Sequence, residues 1–426
     1  MLAAEGKQFK DWSSTYRLFE NERIEPEELF APAIEEILED IGAEAPLFVM
    51  MDDTLIRKRG RMVSGTGWKR DPLGPKFHTN FVWGQRYLQI SAALPDLDPA
   101  GRARGIPVCF HHAPSAAKPR KDAPPEAWDE YKEQQKVCKV SVVGAKRLAE
   151  LSEQIRGREI VCAVDGGFTN KEVFTTIPEN TVLIGRVRKD ASLFEVPEAP
   201  TGAARGRKKY YGNPLPTPEQ VRQDESVPWQ KVTAFAAGKL HEFDVKTMEP
   251  VRWKSSKDRD MLIVIIRPLS YRPRKGGKLL YRDPAYLICS DPKMPLEQLV
   301  QAYLWRWEIE LNFRDEKTIM GVGEAQVRTP AAVQNVPAFV VAAYSFLLLA
   351  AHSINLKPAC LPSPKWSPYE ISGRCTTQKI LSLFRFQYWG LDDDLNKSGF
   401  VSNSSVERTR FFSDNPLNSA LCYAVK

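Results

Sequence analysis

The sequence predicts an α/β fold with an inserted β-rich region, and three features carry that prediction. Leu47-Phe48-Val49-Met50-Met51 and Ile160-Val161-Cys162-Ala163-Val164 are short unbroken apolar runs, each followed at once by an acid. Runs of that length suit central strands covered on both faces. From about 191 to 292, Pro and Gly are frequent and β-rich runs recur at 231–254, 261–269 and 278–290, which reads as an inserted, mostly β subdomain. After it, Leu296 to Lys317 and Val333 to His352 return to helical patterns.

The remaining elements follow in order. Ile34, Ile37, Leu38 and Ile41 repeat at helical spacing and Gly42 is a natural stop, so residues 1–45 form a helical lead-in. Residues 80–94 and 106–110 read as further strands of the first sheet, and one long helix is expected over Glu126 to Gln154, after a Pro/Lys-rich linker at 114–125. Gly166-Gly167 turn the chain from Asp165 into a short helix near Asn170 to Thr175, and Val182 to Val187 adds a strand. The apolar run Ala338 to Ala351 is 14 residues long, too short to span a bilayer, and predicts a buried helix. The expected divisions are 1–45, 46–190, 191–292, 293–352 and a C-terminal region, 353–426, in which Pro, Ser and Asn are frequent.

Charge narrows the partners. Residues 1–50 hold four Lys/Arg against twelve Asp/Glu, so the net +7 divides into −8 for this segment and +15 for the rest of the chain. A basic body suits a polyanion, without selecting one. The seven cysteines are scattered and form no CxxC or Cys/His cluster, which argues against zinc and a disulfide framework and for reduced thiols in a cytosolic protein. The N-terminus has no signal-peptide pattern. His111, His112 and His241 show no ligand spacing and read as structural.

The segment Tyr303 to Lys317 is the most informative. At about 100° per residue, Tyr303, Arg306, Glu310 and Lys317 fall within a stripe roughly 60° wide, while Glu308 and Asp315 lie away from it and Glu316 is the least clearly separated. Periodicity thus singles out Glu310 among four acids. Three carboxylates on separate elements, Asp52, Asp165 and Glu310, suit hard divalent ions of the kind that drive in-line attack on a phosphodiester. Arg306 and Lys317 suit a phosphate, Arg306 in bidentate fashion, and Tyr303 suits a phosphate or a base.

Tyr303-x2-Arg306-x3-Glu310-x6-Lys317 resembles, at every spacing, the Y-R-E-K signature of a large group of bacterial insertion-sequence transposases of the DDE class. Asp52-Asp53-Thr54 resembles the group's first-acid motif, Asp165-Gly-Gly-Phe its second, and Gln326-Val-Arg328 with the following apolar helix is also similar; the likeness covers roughly residues 12–352. It implies an RNase H-like core, 46–190 plus 293–352, interrupted by a β-rich insertion. It further implies cut-and-paste transposition with Mg²⁺ or Mn²⁺ held by Asp52, Asp165 and Glu310, on double-stranded transposon ends and target DNA. A homodimer on DNA, a bacterial cytoplasmic (nucleoid) location and no membrane partner go with it. One departure is that only about 45 residues precede the first acid, where relatives often carry a larger DNA-binding domain. Asp53 is the alternative first acid, since neighbouring strand residues face opposite ways.

Other residues have two readings each. Residues 57–76 hold seven Lys/Arg, Lys58 among them, and one acid, Asp71, so they follow a DNA backbone or form a solvated hairpin. Arg205, Arg207, Lys208 and Lys209 with Tyr210 and Tyr211 read as a DNA contact or a basic loop. Trp253, between Arg252 and Lys254, is either a stacking surface for an unpaired base or a core residue, and Trp305 and Trp307 read as packing. Two rival functions stand beside transposition: a nuclease on the same core, and a catalytically silent, host-adopted DNA-binding protein. Intact acids argue against the latter.

Overall fold

The computed structural model describes residues 13–71, 77–96, 101–198, 209–272, 276–356 and 374–389, together with Phe9, Asp11, Gly74, Pro75 and Arg274. In chain order these are α1 (Ser13–Phe19), a 3-10 turn (Glu28–Phe30), α2 (Ala31–Ile41), β1 (Leu47–Arg57), β2 (Gly67–Arg70), β3 (Phe81–Pro95), β4 (Ala103–His112), α3 (Pro125–Val137), α4 (Val140–Gln154), β5 (Ile160–Val164), α5 (Lys171–Phe174) and β6 (Thr181–Arg186). Then come β7 (Leu193–Phe194), α6 (Pro218–Gln223), β8 (Gln230–Ala236), β9 (Lys239–Trp253), β10 (Asp260–Ile266), β11 (Ser270–Tyr271), β12 (Leu280–Tyr281), β13 (Ala285–Cys289), α7 (Leu296–Trp305), α8 (Trp307–Thr318), α9 (Pro330–Ser353) and α10 (Thr377–Trp389).

One mixed sheet of 11 strands organises the molecule, in the order β2-β3-β1-β5-β6-β13-β10-β9-β7, with β4 also on β3 and β8 also on β9. β1, β5 and β6 run parallel at its centre, while β3 and β4 are antiparallel neighbours. This arrangement is compatible with an RNase H-like core. Most of the β-rich stretch 191–292 joins the central sheet: β13 pairs antiparallel with β6, and β10 and β9 continue outward, while β11 and β12 pair only with each other as a small two-stranded sheet. Apolar runs such as Met261–Ile266, buried on both faces, need that continuity.

Two helical expectations change. The single helix expected over 126–154 is two, α3 and α4, separated at Cys138-Lys139, where Lys139 adopts an extended backbone. Neither residue is Gly or Pro, so the sequence does not mark the break. α3 buries nothing, whereas α4 sets Leu148 and Leu151 into the core. Likewise 296–317 is α7 and α8, joined at Arg306, whose amide donates to the Tyr303 carbonyl in a tight turn at 3.3 Å. Its backbone stays helical (φ −50°, ψ −28°), so the side-chain stripe survives.

The apolar run 338–351 lies inside α9, which at 24 residues is long and apolar enough to cross a membrane by length and composition alone. In the fold its inner face is core: Val341, Tyr344, Ser345 and Leu348 are buried, and Ser345 Oγ donates to the Pro107 carbonyl of β4 at 2.7 Å.

Candidate active site

β1 and β5 place two acids side by side. Their parallel pairing runs from Leu47↔Ile160 to Met51↔Val164, after which β5 ends and β1 continues along β3 as far as Arg57↔Gly84. Asp52 is therefore the first β1 residue past the end of β5, and Asp165 the first residue after β5. A carboxylate tolerates this position because the sheet opens there. The first apolar run thus does not end a strand, as its sequence suggests, because antiparallel pairing with β3 carries β1 on to Arg57.

Asp165 is held by its own turn: its Oδ1 accepts from the Gly167 and Phe168 amides at 2.8 and 3.3 Å, and Thr169 Oγ1 donates to its carbonyl at 2.8 Å. Gly185 of β6 makes room for that turn, since a Cβ there would collide with the Thr169 side chain.

Asp52 and Asp53 point to opposite faces of β1, as alternation demands. Asp53 pairs with Arg86 of β3 at 3.1 Å. Asp52 faces α8, where Arg306 Nη1 reaches its Oδ2 at 3.3 Å while Nη2 of the same guanidinium donates to Glu310 Oε1 at 3.1 Å. Burial, and then the neighbouring Asp165 carboxylate, push the Asp52 carboxyl up to about 7; the Asp53 amide and Arg306 offset this only in part. Tyr303 lies under Arg306, its ring centroid 6.0 Å from the guanidinium carbon. Lys317 is exposed farther along the same helix.

The structure sets Arg306 against both Asp52 and Glu310, with Asp165 beside Asp52. Among the described residues no three His, Cys, Asp or Glu side chains converge as a finished metal site, and Arg306 bonds both Asp52 and Glu310. The donor chemistry nevertheless fits a hard divalent cation: the oxygens are carboxylate, and the Asp52–Asp165 repulsion is relieved by positive charge.

The opposite face of α8 is charged and yet buried. Glu308 pairs with Arg374 at 2.6 Å, Asp315 accepts from Thr377 Oγ1 at 2.7 Å, and Asn312 donates to the Gly105 carbonyl at 3.0 Å while accepting from Ser91 Oγ. Gly105 lets α8 approach β4, since a Cβ there would lie 2.8 Å from Asn312 Oδ1 and 3.0 Å from Glu308 Cβ. These docking residues escape sequence reading. The only trace of them is that the acids off the Glu310 stripe share a side.

Glu316, 1% exposed, sits in that interface, and burial pushes its carboxyl up to about 8 although Gln89 hydrogen-bonds it. Gln89 Oε1 and Glu316 Oε1 both lack a donor, which suits a neutral, proton-bearing Glu316. Its folded pKa lies above the ordinary 4.5, so the folded state holds a proton the unfolded chain has lost, and stability falls as pH rises from about 4.5 to about 8. Glu316→Gln is expected to flatten that slope relative to wild type and to raise stability at pH 8 by on the order of a few kcal/mol, seen as a higher melting temperature. Thermal melts at pH 5 and pH 8 check this, and equal effects at both values contradict it.

Two expected DNA contacts, Lys58 and Trp253, need correction, and three more lie outside the described residues. Lys58 turns inward, its ammonium donating to the Gly323 and Ala325 carbonyls at 3.0 and 3.3 Å, so it pins the α8–α9 connection. Trp253 is 8% exposed and packs edge-to-face on Phe174 at 5.1 Å, which leaves no ring face for a base. Arg205, Arg207 and Lys208 lie outside the described residues, while Lys209 is exposed beside them. The packing reading of Trp305 holds, with its ring against Phe48 at 5.2 Å; Trp307 is instead 57% exposed.

Comparison with known proteins adds the following. No curated protein matches the chain. A solved structure, a piggyBac transposase synaptic complex with hairpin DNA, aligns over 88% of this chain and 69% of its own at 14% identity, with a TM-score of 0.33. Residues 141–346 match the family model described as the transposase DDE domain, a stretch that includes Asp165, Arg306 and Glu310 and begins after Asp52. The chain thus carries a transposase DDE domain, that of a DNA transposase, a class of enzyme that uses divalent metal ions to cleave DNA and transfer its strands.

Proposed function

We propose that this chain is a cut-and-paste transposase of the Y-R-E-K insertion-sequence group, with Asp52, Asp165 and Glu310 as its catalytic acids on an RNase H-like core. The observation that carries the proposal is the single guanidinium of Arg306 joining Asp52 to Glu310, with Asp165 beside Asp52 at the end of β5. Asp52 rather than Asp53 is the first acid, because Asp52 faces Glu310 while Asp53 is committed to Arg86.

Mg²⁺ or Mn²⁺ is the ion these three carboxylates would hold; when bound, it supplies Lewis-acid activation of the phosphodiester and of the attacking oxygen. Arg306, placed between the acids, exchanges its carboxylate partners for a phosphate oxygen when DNA arrives, a contact of the same bidentate kind. Tyr303 and Lys317 flank it on the same helical face and hold the transposon end. Lys209 and the adjoining basic residues 205–208 add phosphate contacts from the β-rich region. Two copies acting on paired ends, in a bacterial cytoplasm, complete the reading.

The test is cleavage of DNA carrying the element's own terminal sequences. Cleavage is expected with Mg²⁺ or Mn²⁺ and none with EDTA; full activity in EDTA overturns the metal assignment.

A further inference from the structure

The β2–β3 ribbon presents an aromatic face that the core does not use. Trp68 lies opposite Trp83, and Arg70 opposite Phe81, so alternation puts all four on one face. Trp68 is 63% and Phe81 60% exposed, and the two indoles meet edge-to-face at 5.5 Å. The other face is anchored: Lys69 is buried and donates to Ser115, and Gly84 lies so close to the Ile56 carbonyl that no side chain fits. The ribbon is thus fixed on one side and, among the described residues, bare on the other. Large aromatic rings left in water on a fixed support mark a binding surface.

Charge and position select the occupant. Arg57, Arg59, Arg61 and Arg70 are exposed along this segment, and Asp71 is the only acid between residues 57 and 80. Gln89, the register partner of Asp52, and Trp83 lie six residues apart on β3 with unbroken pairing to β1, hence on the same sheet face. At about 3.3 Å per residue the aromatic face begins roughly 20 Å from Asp52. A strand that leaves a duplex and keeps its 3.4 Å rise per nucleotide covers that distance in about six nucleotides. Rings interleaved with cations are the means by which proteins hold unpaired bases, since every base has a π-face and every nucleotide a phosphate.

We infer that the Trp68/Phe81 face of the ribbon binds unpaired DNA about six nucleotides from the scissile phosphate, its rings stacking on bases and its arginines following the backbone. The inference rests on the proposed transposase function, and its test separates the two.

The experiment measures fluorescence anisotropy of labelled oligo(dT) and of a blunt mixed-sequence duplex against wild type, Trp68→Ala/Phe81→Ala and Arg59→Ala/Arg61→Ala, across a salt series. The aromatic variant is expected to bind oligo(dT) about tenfold or more weakly, with its salt slope and duplex binding unchanged. The arginine variant is expected to weaken on both probes and to show a shallower salt slope. The replaced residues are exposed, so the fold is not at risk. An aromatic variant that binds oligo(dT) as wild type does overturns the inference, while metal-dependent cleavage by the wild type leaves the proposed function standing. A wild-type dimer that this variant turns into monomers, with unchanged affinity for both probes, assigns the face to a second copy and also overturns it. A wild-type chain that binds neither probe overturns both.

Discussion

Glu310→Gln is expected to keep DNA binding within about twofold of wild type and to lower strand cleavage by at least a hundredfold to a thousandfold, on the order of what one lost electrostatic stabiliser costs. The substitution preserves shape and hydrogen-bonding capacity while removing the charge a hard cation needs. The Arg306 Nη2 contact, 3.1 Å in the free protein, is still available to the amide oxygen, so α8 keeps its position. Asp165→Asn is expected to behave alike, and Asp52→Asn to differ from Asp53→Asn by the same margin. Glu308→Gln is the control. It removes the negative charge that the Arg374 guanidinium meets at 2.6 Å, so it lowers stability rather than chemistry. Gel-based cleavage and filter binding on the same DNA separate these outcomes, and cleavage lost in Glu308→Gln but kept in Glu310→Gln would falsify the helix assignment.

The second large effect lies away from the acids. Gly105→Val is expected to destabilise the protein by about 1–3 kcal/mol, the usual cost of overpacking, and to abolish cleavage with no acid changed. β4 accepts a β-branched residue readily as a strand, so the penalty comes from α8, whose Asn312 and Glu308 occupy the space the new methyls require. A helix displaced there carries Glu310 away from Asp52. Denaturant melts should show lower stability with an unchanged m-value, and the DNA-binding midpoint should change far less than the cleavage rate. Wild-type cleavage in a folded Gly105→Val protein contradicts the claim that this contact sets the distance between the acids.

How far the site was legible in the sequence follows from the range of each interaction. The Tyr303–Lys317 stripe was readable because 3.6-residue periodicity is local, and it survives the bend at Arg306, whose dihedrals stay helical. The two strands were readable because five apolar residues in a row leave few alternatives. By contrast, the inward turn of Lys58 depends on carbonyls more than 260 residues away. The burial of Trp253 depends on Phe174, on the helix α5 that lies between β5 and β6 in the chain. The charged, buried face of α8 reverses the usual expectation that acids face water, because Ser91, Gly105, Arg374 and Thr377 supply its partners from three distant segments. The same reasoning explains why most of the 191–292 strands extend the central sheet: strand composition is local, whereas the choice of neighbour is not.

On the proposed function, Asp52, Asp165 and Glu310 hold one divalent-cation centre that Arg306 bridges in the free protein. The most direct measurement is anomalous diffraction from crystals of the protein bound to DNA and soaked in Mn²⁺. An anomalous peak is expected within about 2.5 Å of carboxylate oxygens from Asp52 and Asp165, with Glu310 turned toward it and Arg306 moved onto a phosphate. A peak coordinated by other residues, with Arg306 still joining Asp52 to Glu310, contradicts it.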